Sequence, residues 1–143
     1  MIGGKNQAGK YKIGDRFNKV SLIEKIKNIY SKKDNITLYN FDAVALINNM
    51  KEKIDNHTLI YFDPPYYNKA DQLYNYSYGH KDHSLLNKCI QQLNTPYVLS
   101  YDKAQEIISM YNSMPHQIIT FSYSIHETST NSDELLIYNN MLM

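Results

Sequence analysis

The spacing of apolar and polar positions predicts an ordered series of helices along most of the chain. From Ser21, interpreted as an N-cap, apolar residues recur at helical spacing as far as Tyr30. A second helix is predicted from Asp42, which begins the run "DAVALINNMKEKI". Asp82 is interpreted as the cap of a third helix, and the run "AQEIISMYNSM" (104–114) predicts a fourth.

Short runs rich in β-branched and aromatic residues predict the strands between these helices. The predicted strands are residues 36–40, 58–63, 96–102, 116–125 and 134–140. The last two are separated only by a polar loop, which predicts that they are antiparallel neighbours. This order of elements indicates an α/β layered sheet as the fold class.

Two segments have no apolar periodicity and are predicted to be loops. They are the amino end, residues 1–20, and the polar, tyrosine-rich run "YNKADQLYNYSYGHK" (67–81). The length of 143 residues suits one domain. We therefore expect a single domain, with residues 1–20 as a loop and residues 21–143 as its α/β core.

Composition excludes several classes of protein. The chain has 15 Lys and Arg against 14 Asp and Glu, a formal net charge of +1, which excludes a polybasic nucleic-acid tail but not a local basic face. The single cysteine, Cys89, excludes an internal disulfide and a multi-cysteine zinc site, and we expect it in the core. No apolar run reaches the roughly 18 residues of a membrane span, so a cytoplasmic protein is expected.

A pair of histidines raises the question of a metal site. His80 and His83 flank Asp82, but no cysteine or further histidine lies at ligand spacing. Since Asp82 is better placed as a helix cap, no metal site is expected.

The stretch "YFDPPYYN" (61–68) carries the chemistry of the sequence. Proline cannot donate to a sheet ladder, so Pro64 and Pro65 must end the preceding strand. Asp63 then presents a carboxylate beside the stiffened Pro64 carbonyl, and Tyr66 adds a flat ring. Two acceptors and a stacking platform match an exocyclic amino group on a planar heterocycle. Accepting both protons localises the nitrogen lone pair, which can then attack an electrophilic methyl group.

These residues resemble the catalytic motif of adenine-specific DNA N6-methyltransferases, in particular the Dam-like (D12 class) branch. The likeness extends to "GKYKIGDRFNK", "LYNFDA", "DPPYYNKADQLYNYSY", "DHSLL" and "YVLSYD", in the order of that branch. It implies a Rossmann-like methyltransferase fold and S-adenosylmethionine as cofactor. It also implies double-stranded DNA as the substrate, with an adenine flipped out of the duplex, often in a restriction–modification setting.

The resemblance assigns roles residue by residue. Asp63, Pro64 and Pro65 would form the catalytic corner that holds the adenine amino group, and Tyr66 would stack on the base. Asp42 matches the family acid that contacts the adenine part of the cofactor.

Five further residues are expected to contact DNA or substrate. They are Arg16, Phe17 and Asn18 in "DRFNK", and Tyr67 and Asn68 after the corner. The tyrosine-rich loop that follows is open to two interpretations, a DNA-facing surface and a solvated loop.

The sequence departs from the family at the cofactor site. The family's aromatic-glycine motif, F-x-G-x-G, has no match, because Gly3 and Gly4 are adjacent and follow no predicted strand. We therefore expect an incomplete, carboxy-terminal part of the methyltransferase fold, with a gap between the 36–40 and 58–63 strands.

Two main functions remain open from the sequence, beside a stand-alone nucleic-acid-binding module, to which the net charge of +1 gives little electrostatic support. One is a truncated or split catalytic part, whose activity requires a complementing amino-terminal methyltransferase chain. The other is a non-enzymatic remnant of an interrupted gene, with weak binding to DNA or to a partner through an exposed sheet edge.

Overall fold

The chain divides into two units, Met1–Asn40 and Phe41–Met143. The computed structural model describes residues 6, 8–10, 14, 17–68, 78–125 and 128–139.

The first unit contains one long helix, α1, over Lys19–Tyr30, followed by a short 3-10 helix over Lys33–Asn35. The N-cap of α1 is Asn18, whose Oδ1 accepts a hydrogen bond from the Ser21 backbone N–H at 3.0 Å. The prediction of Ser21 as the N-cap was therefore wrong. Ser21 lies in the first turn, where its N–H has no partner within the helix and is satisfied by the Asn18 side chain.

Residues 36–40 do not form a strand, and that prediction was wrong. No strand of the described residues pairs with this segment. A short β-rich run has little preference of its own for extended pairing, because strand stability comes from cross-strand neighbours.

The described part of the second unit forms a four-stranded sheet with three helices. Its elements are α2 (Ala43–Met50), β1 (Ile60–Phe62), α3 (His80–Ile90), β2 (Tyr97–Asp102), α4 (Gln105–Met110), β3 (His116–Ile125) and β4 (Thr128–Tyr138). The strand order is β1-β2-β4-β3, with β1 parallel to β2 and the other neighbours antiparallel. The mixed α/β class and the antiparallel pairing of the last two strands are thus confirmed.

The carboxy-terminal hairpin is longer than the sequence predicts. The polar segment 126–133 was expected to be a loop. Instead, β4 begins at Thr128, which pairs with Ile125 at the end of β3. Residues 126–127 lie outside the described part of the chain. The polar residues of this segment are strand because β3 supplies a continuous partner, and pairing outweighs their low strand propensity.

The core is formed by side chains of β2 and β4 together with those of the helices that pack against them. Leu99, Tyr101, Ile107, Tyr111 and Ile137 are fully buried within it. Cys89 is half-buried and packs against this cluster, as expected. Among the described residues, no helix is long and apolar enough to cross a membrane.

Helix α3 begins earlier than predicted. Its N-cap is Gly79, and Asp82 is the third helical residue, whose Oδ2 accepts from the Gly79 backbone N–H at 2.9 Å. Asp82 therefore stabilises the helix start from inside the first turn instead of preceding the helix. The loop predicted over 67–81 is described only at its ends, and its residues 69–77 lie outside the described part.

Candidate active site at the carboxyl end of β1

The corner after β1 is built by its two prolines. The strand ends at Phe62, Asp63 follows as an exposed residue, and Pro64 is buried while Pro65 is half-buried. Because proline has no N–H for the ladder and fixes its own φ, the chain leaves the sheet here with little freedom. The carboxylate of Asp63 is thereby held at the carboxyl end of a strand that is parallel to β2.

A chain of hydroxyl groups orients the Asp63 carboxylate. Ser100 of β2 donates from Oγ to Asp63 Oδ1 at 3.3 Å, and the Tyr61 hydroxyl lies 2.9 Å from the same Ser100 Oγ. Since the Ser100 proton points to Asp63, the Tyr61 hydroxyl is the donor in the second bond. Ser100 is 4% exposed, so its position is set by the sheet.

The residues after the prolines are held by two acids from other strands. The Tyr66 hydroxyl donates to Glu134 Oε1 at 3.0 Å. The backbone N–H groups of Tyr67 and Asn68 donate to Asp102 Oδ1 and Oδ2, at 2.7 Å and 2.9 Å. Asp102 is the last residue of β2 and therefore acts as a strand-end acceptor for these two groups.

Asp42 has two sets of partners. Its Oδ1 accepts from the backbone N–H groups of Val44 and Ala45, at 3.0 Å and 3.1 Å, which makes it the N-cap of α2. Its Oδ2 accepts from the Tyr78 hydroxyl at 3.3 Å. Burial raises the pKa of the Tyr78 hydroxyl, and the adjacent Asp42 charge raises it further. Asp42 thus caps α2 with one carboxylate oxygen and contacts Tyr78 with the other.

A pocket of about 530 Å³ joins Asp42 to the proline corner. Its volume lies within the range of small-molecule sites. The polar side chains on its wall include Asp42, Asp63 and Tyr78. The remaining lining is largely apolar: Phe41, Ala43, Leu46, Ile47, Met50, Ile54, Thr58, Ile60, Tyr61, Phe62, Pro64, Pro65 and Leu86. Two sites that the sequence predicted separately, at Asp42 and at Asp63–Pro65, therefore share one cavity.

A buried aromatic cluster lies beside this pocket. The His83 ring is fully buried and its Nδ1 lies 2.8 Å from the Tyr101 hydroxyl. The rings of Tyr67 and Tyr78 lie 5.1 Å and 5.4 Å from the His83 ring. Burial lowers the pKa of His83, while the carboxylate of Asp102 partly opposes the shift. The cluster thus joins both ends of the 67–81 segment to α3.

The first unit contains three other predicted site residues, Arg16, Phe17 and Asn18. Arg16 lies outside the described residues. Asn18 caps α1, directly after Phe17, in the first unit. Tyr66 does not line the pocket and contacts Glu134 instead.

The described residues contain no group of three or more His, Cys, Asp and Glu side chains that could hold a metal ion. The two histidines that raised this question have other partners. His80 Nδ1 lies 2.9 Å from the Tyr67 hydroxyl, and His83 contacts Tyr101.

Sequence reasoning missed Ser100 and Glu134. A signal for Ser100 was present, because residues 100 and 102 of a strand lie on the same face and "SYD" ends β2 next to the corner. Glu134 carried no such signal, since its place beside the corner depends on the pairing of β4 with β2.

Comparison with known families identifies one that matches nearly the whole chain. The model of the D12 class N6 adenine-specific DNA methyltransferase family matches residues 4–132. This range includes Asp42, the proline corner, Asp102 and all the residues that line the pocket. No curated protein matches the chain.

Proposed function

This chain belongs to the D12 class N6 adenine-specific DNA methyltransferase family, and we propose that it carries the target-base site for methyl transfer to adenine N6 in DNA. The family indicates adenine methylation in DNA as the function. The finer assignments, to particular residues and to S-adenosylmethionine, are proposals.

The single observation that carries this proposal is the shared pocket. Asp42 and the corner Asp63–Pro65 are separated in sequence by α2 and β1, yet they line one cavity of the second unit. A transfer reaction needs the acceptor nitrogen and the methyl donor in one site at a fixed orientation. A cavity with the target-base corner at one part of its wall and a cofactor acid at another supplies that arrangement.

The corner residues act on the amino group. Asp63 accepts an N–H of the adenine amino group, and the Pro64 carbonyl accepts the other. With both protons engaged, the nitrogen lone pair is withdrawn from conjugation with the ring and is available to form the new N–C bond. With the cofactor bound, the methyl–sulfur bond would break with its electron pair kept by sulfur, while the nitrogen would gain the methyl group and release one proton to solvent.

Tyr66 is the proposed platform for the flipped adenine, and Tyr67 and Asn68 lie on the DNA side of the same corner. Arg16, Phe17 and Asn18 stay proposed as DNA or substrate contacts. Double-stranded DNA is the proposed substrate.

The pocket fits the nucleoside part of S-adenosylmethionine. Its apolar wall, with Phe41 and Ile47, suits a purine ring, and Asp42 Oδ2 is an acceptor for the purine amino group. When bound, the cofactor supplies an electrophilic methyl group. The sequence holds no F-x-G-x-G turn for the amino-acid part. We propose that a complementing amino-terminal methyltransferase segment supplies it.

Isothermal titration with S-adenosylmethionine, with and without an adenine-containing DNA duplex, tests the cofactor site directly. We expect saturable binding that requires Asp42. A parallel assay measures transfer of a labelled methyl group to the duplex, with and without a family amino-terminal segment that carries the glycine turn.

Asp63→Asn is the decisive variant of the transfer assay. It is expected to lower the rate of methyl transfer by at least about 100-fold, because one of the two acceptors of the adenine amino group loses its negative charge. Asp34→Asn, which changes an exposed acid of the first unit, is the matched control. A folded chain that neither binds cofactor nor transfers methyl in any of these mixtures would overturn the proposal.

A further inference from the structure

Two acids face each other across the β2–β4 pair. Asp102, the last residue of β2, is the direct cross-strand partner of Glu134 on β4. Side chains of directly opposite residues lie on the same face of a sheet, about 5 Å apart at their Cβ atoms. Like charges in that position are unfavourable, so each carboxylate needs favourable contacts elsewhere.

Asp102 has such contacts with the backbone of the corner. It is 7% exposed, and each of its oxygens accepts one N–H, from Tyr67 at 2.7 Å and from Asn68 at 2.9 Å. Hydrogen bonds to a carboxylate are short and strong, and two on consecutive residues fix the direction of the backbone.

Glu134 makes its contact one residue earlier, with the side chain of Tyr66. Its Oε1 accepts from the Tyr66 hydroxyl at 3.0 Å. The hydroxyl lies at the far end of the ring, so this bond restricts both the direction of the side chain and its swing about χ1. Backbone restraint from Asp102 and ring restraint from Glu134 thus act on three consecutive residues.

We propose that Asp102 and Glu134 are a pair of positioning residues, which hold Tyr66 and the two residues after it as one rigid platform for the target base. The role of the platform, to receive a target base, rests on the proposed function. Neither acid belongs to the catalytic corner, and both act only by holding the residues that follow it. The register of β2 against β4 thereby sets the orientation of a ring at the end of β1.

The pair differs from an ordinary strand-end arrangement. Strand-end capping requires only the Asp102 carboxylate and its two backbone donors. It gives no reason for a second acid to lie opposite and to reach the Tyr66 hydroxyl. The adjacent Lys103 does not explain the pair either, because its ammonium group lies 3.0 Å from Asp133 Oδ2.

Amide hydrogen exchange of the 143-residue chain tests the backbone half without any assay of activity. In Asp102→Asn one N–H faces an amide NH₂ group in place of an oxygen, so the Tyr67 and Asn68 amides are expected to exchange at least about tenfold faster. Asp133→Asn is the matched control and is expected to leave both amides unchanged. Equal exchange in Asp102→Asn and the unsubstituted chain would overturn this half.

A double-mutant cycle tests the ring half. Tyr66→Phe removes the donor and keeps the ring, while Glu134→Leu removes the acceptor. Each is expected to lower kcat for methyl transfer about tenfold, with the dissociation constant of S-adenosylmethionine unchanged. The double variant is expected to lose less than the sum of the two single losses, because the shared Tyr66–Glu134 bond is counted in both single variants.

Glu134→Gln retains an acceptor oxygen and is expected to recover most of the activity lost in Glu134→Leu. Additive losses in the cycle, or equal losses in Glu134→Gln and Glu134→Leu, would overturn the ring half. If Asp102→Asn does not fold, the Tyr66 cycle and the Gln variant decide the proposal. A chain that shows the exchange effect but no methyl transfer in any mixture would contradict the proposed function and support the platform as a structural device.

Discussion

The hydroxyl of Ser100 donates to the Oδ1 atom of Asp63 across the parallel pair of β1 and β2, at 3.3 Å. Ser100 is buried in the sheet, while Asp63 is exposed at the corner. A fixed donor thus orients a carboxylate that otherwise faces solvent and would sample several rotamers.

Ser100→Ala removes this orienting donor. Because a single hydrogen bond to a charged or partly exposed acceptor contributes about 1 kcal/mol, methyl transfer is expected to fall roughly two- to tenfold. The rate is measured at saturating cofactor. Ser109→Ala, which removes an exposed helix hydroxyl bonded to the Gln105 carbonyl, is the control and is expected to leave the rate unchanged.

Asp42 serves as a helix cap and as the proposed cofactor acid, and two substitutions separate these roles. Asp42→Ala removes the cap of α2 and is expected to cost about 0.5–2 kcal/mol of unfolding free energy. Asp42→Ser keeps a capping oxygen and is expected to leave stability within about 0.5 kcal/mol, since serine and aspartate are similar N-caps.

Both Asp42 variants are expected to weaken S-adenosylmethionine binding, because each lacks the carboxylate of a residue that lines the pocket. Urea unfolding and isothermal titration give the two quantities. Asp55→Ser makes the same exchange at an exposed acid that accepts from the His57 backbone N–H, and it is the control. Full cofactor affinity in Asp42→Ser would contradict the cofactor role.

Local patterns were sufficient to predict the elements that depend on local chemistry. Helix α2 begins where a capping aspartate precedes an apolar periodicity, and β1 ends where two prolines remove the ladder donors. The corner at Asp63 could be read in the same way, because its chemistry lies within four consecutive residues.

Patterns of this kind failed where structure depends on pairing between distant segments. Residues 36–40 have strand propensity but no partner among the described strands, whereas the polar start of β4 has a partner in β3 and is strand. The same reason hid Glu134, which meets Tyr66 only through the β2–β4 register. The propensity of a segment follows from its own residues, whereas a cross-strand contact also depends on a second segment that is distant in sequence.

The buried His83 is expected to make stability depend on pH. Burial lowers its pKa in the folded chain below the ordinary value of 6.5, so the unfolded chain binds a proton more readily. Stability from this group is therefore complete above about pH 6.5 and is lost as the pH falls towards the lowered pKa of the folded state.

His83→Gln is expected to flatten the stability profile between about pH 5 and pH 7, where the unsubstituted chain loses stability on acidification. Urea unfolding at a series of pH values measures the slope. His57→Gln changes an exposed histidine of a loop and is expected to keep the slope. An unchanged slope in His83→Gln would mean that other groups account for the acid sensitivity.

Leu85 and Leu86 are adjacent in α3 and have opposite environments. Leu86 is 1% exposed and lines the pocket, while Leu85 is 55% exposed. Leu86→Ala is expected to lower the unfolding free energy by about 2–5 kcal/mol, through lost burial and the cavity left behind. Leu85→Ala is expected to change it by no more than about 0.5 kcal/mol.

The same pair tests whether the pocket wall contributes to binding. Leu86→Ala enlarges the cavity beside Asp42 and Pro64, so cofactor affinity is expected to fall in the folded fraction of this variant and to stay unchanged in Leu85→Ala. Isothermal titration below the unfolding midpoint measures both. Equal destabilisation by the two substitutions would mean that α3 does not present Leu86 to the core, and would contradict the pocket on which the proposed function depends.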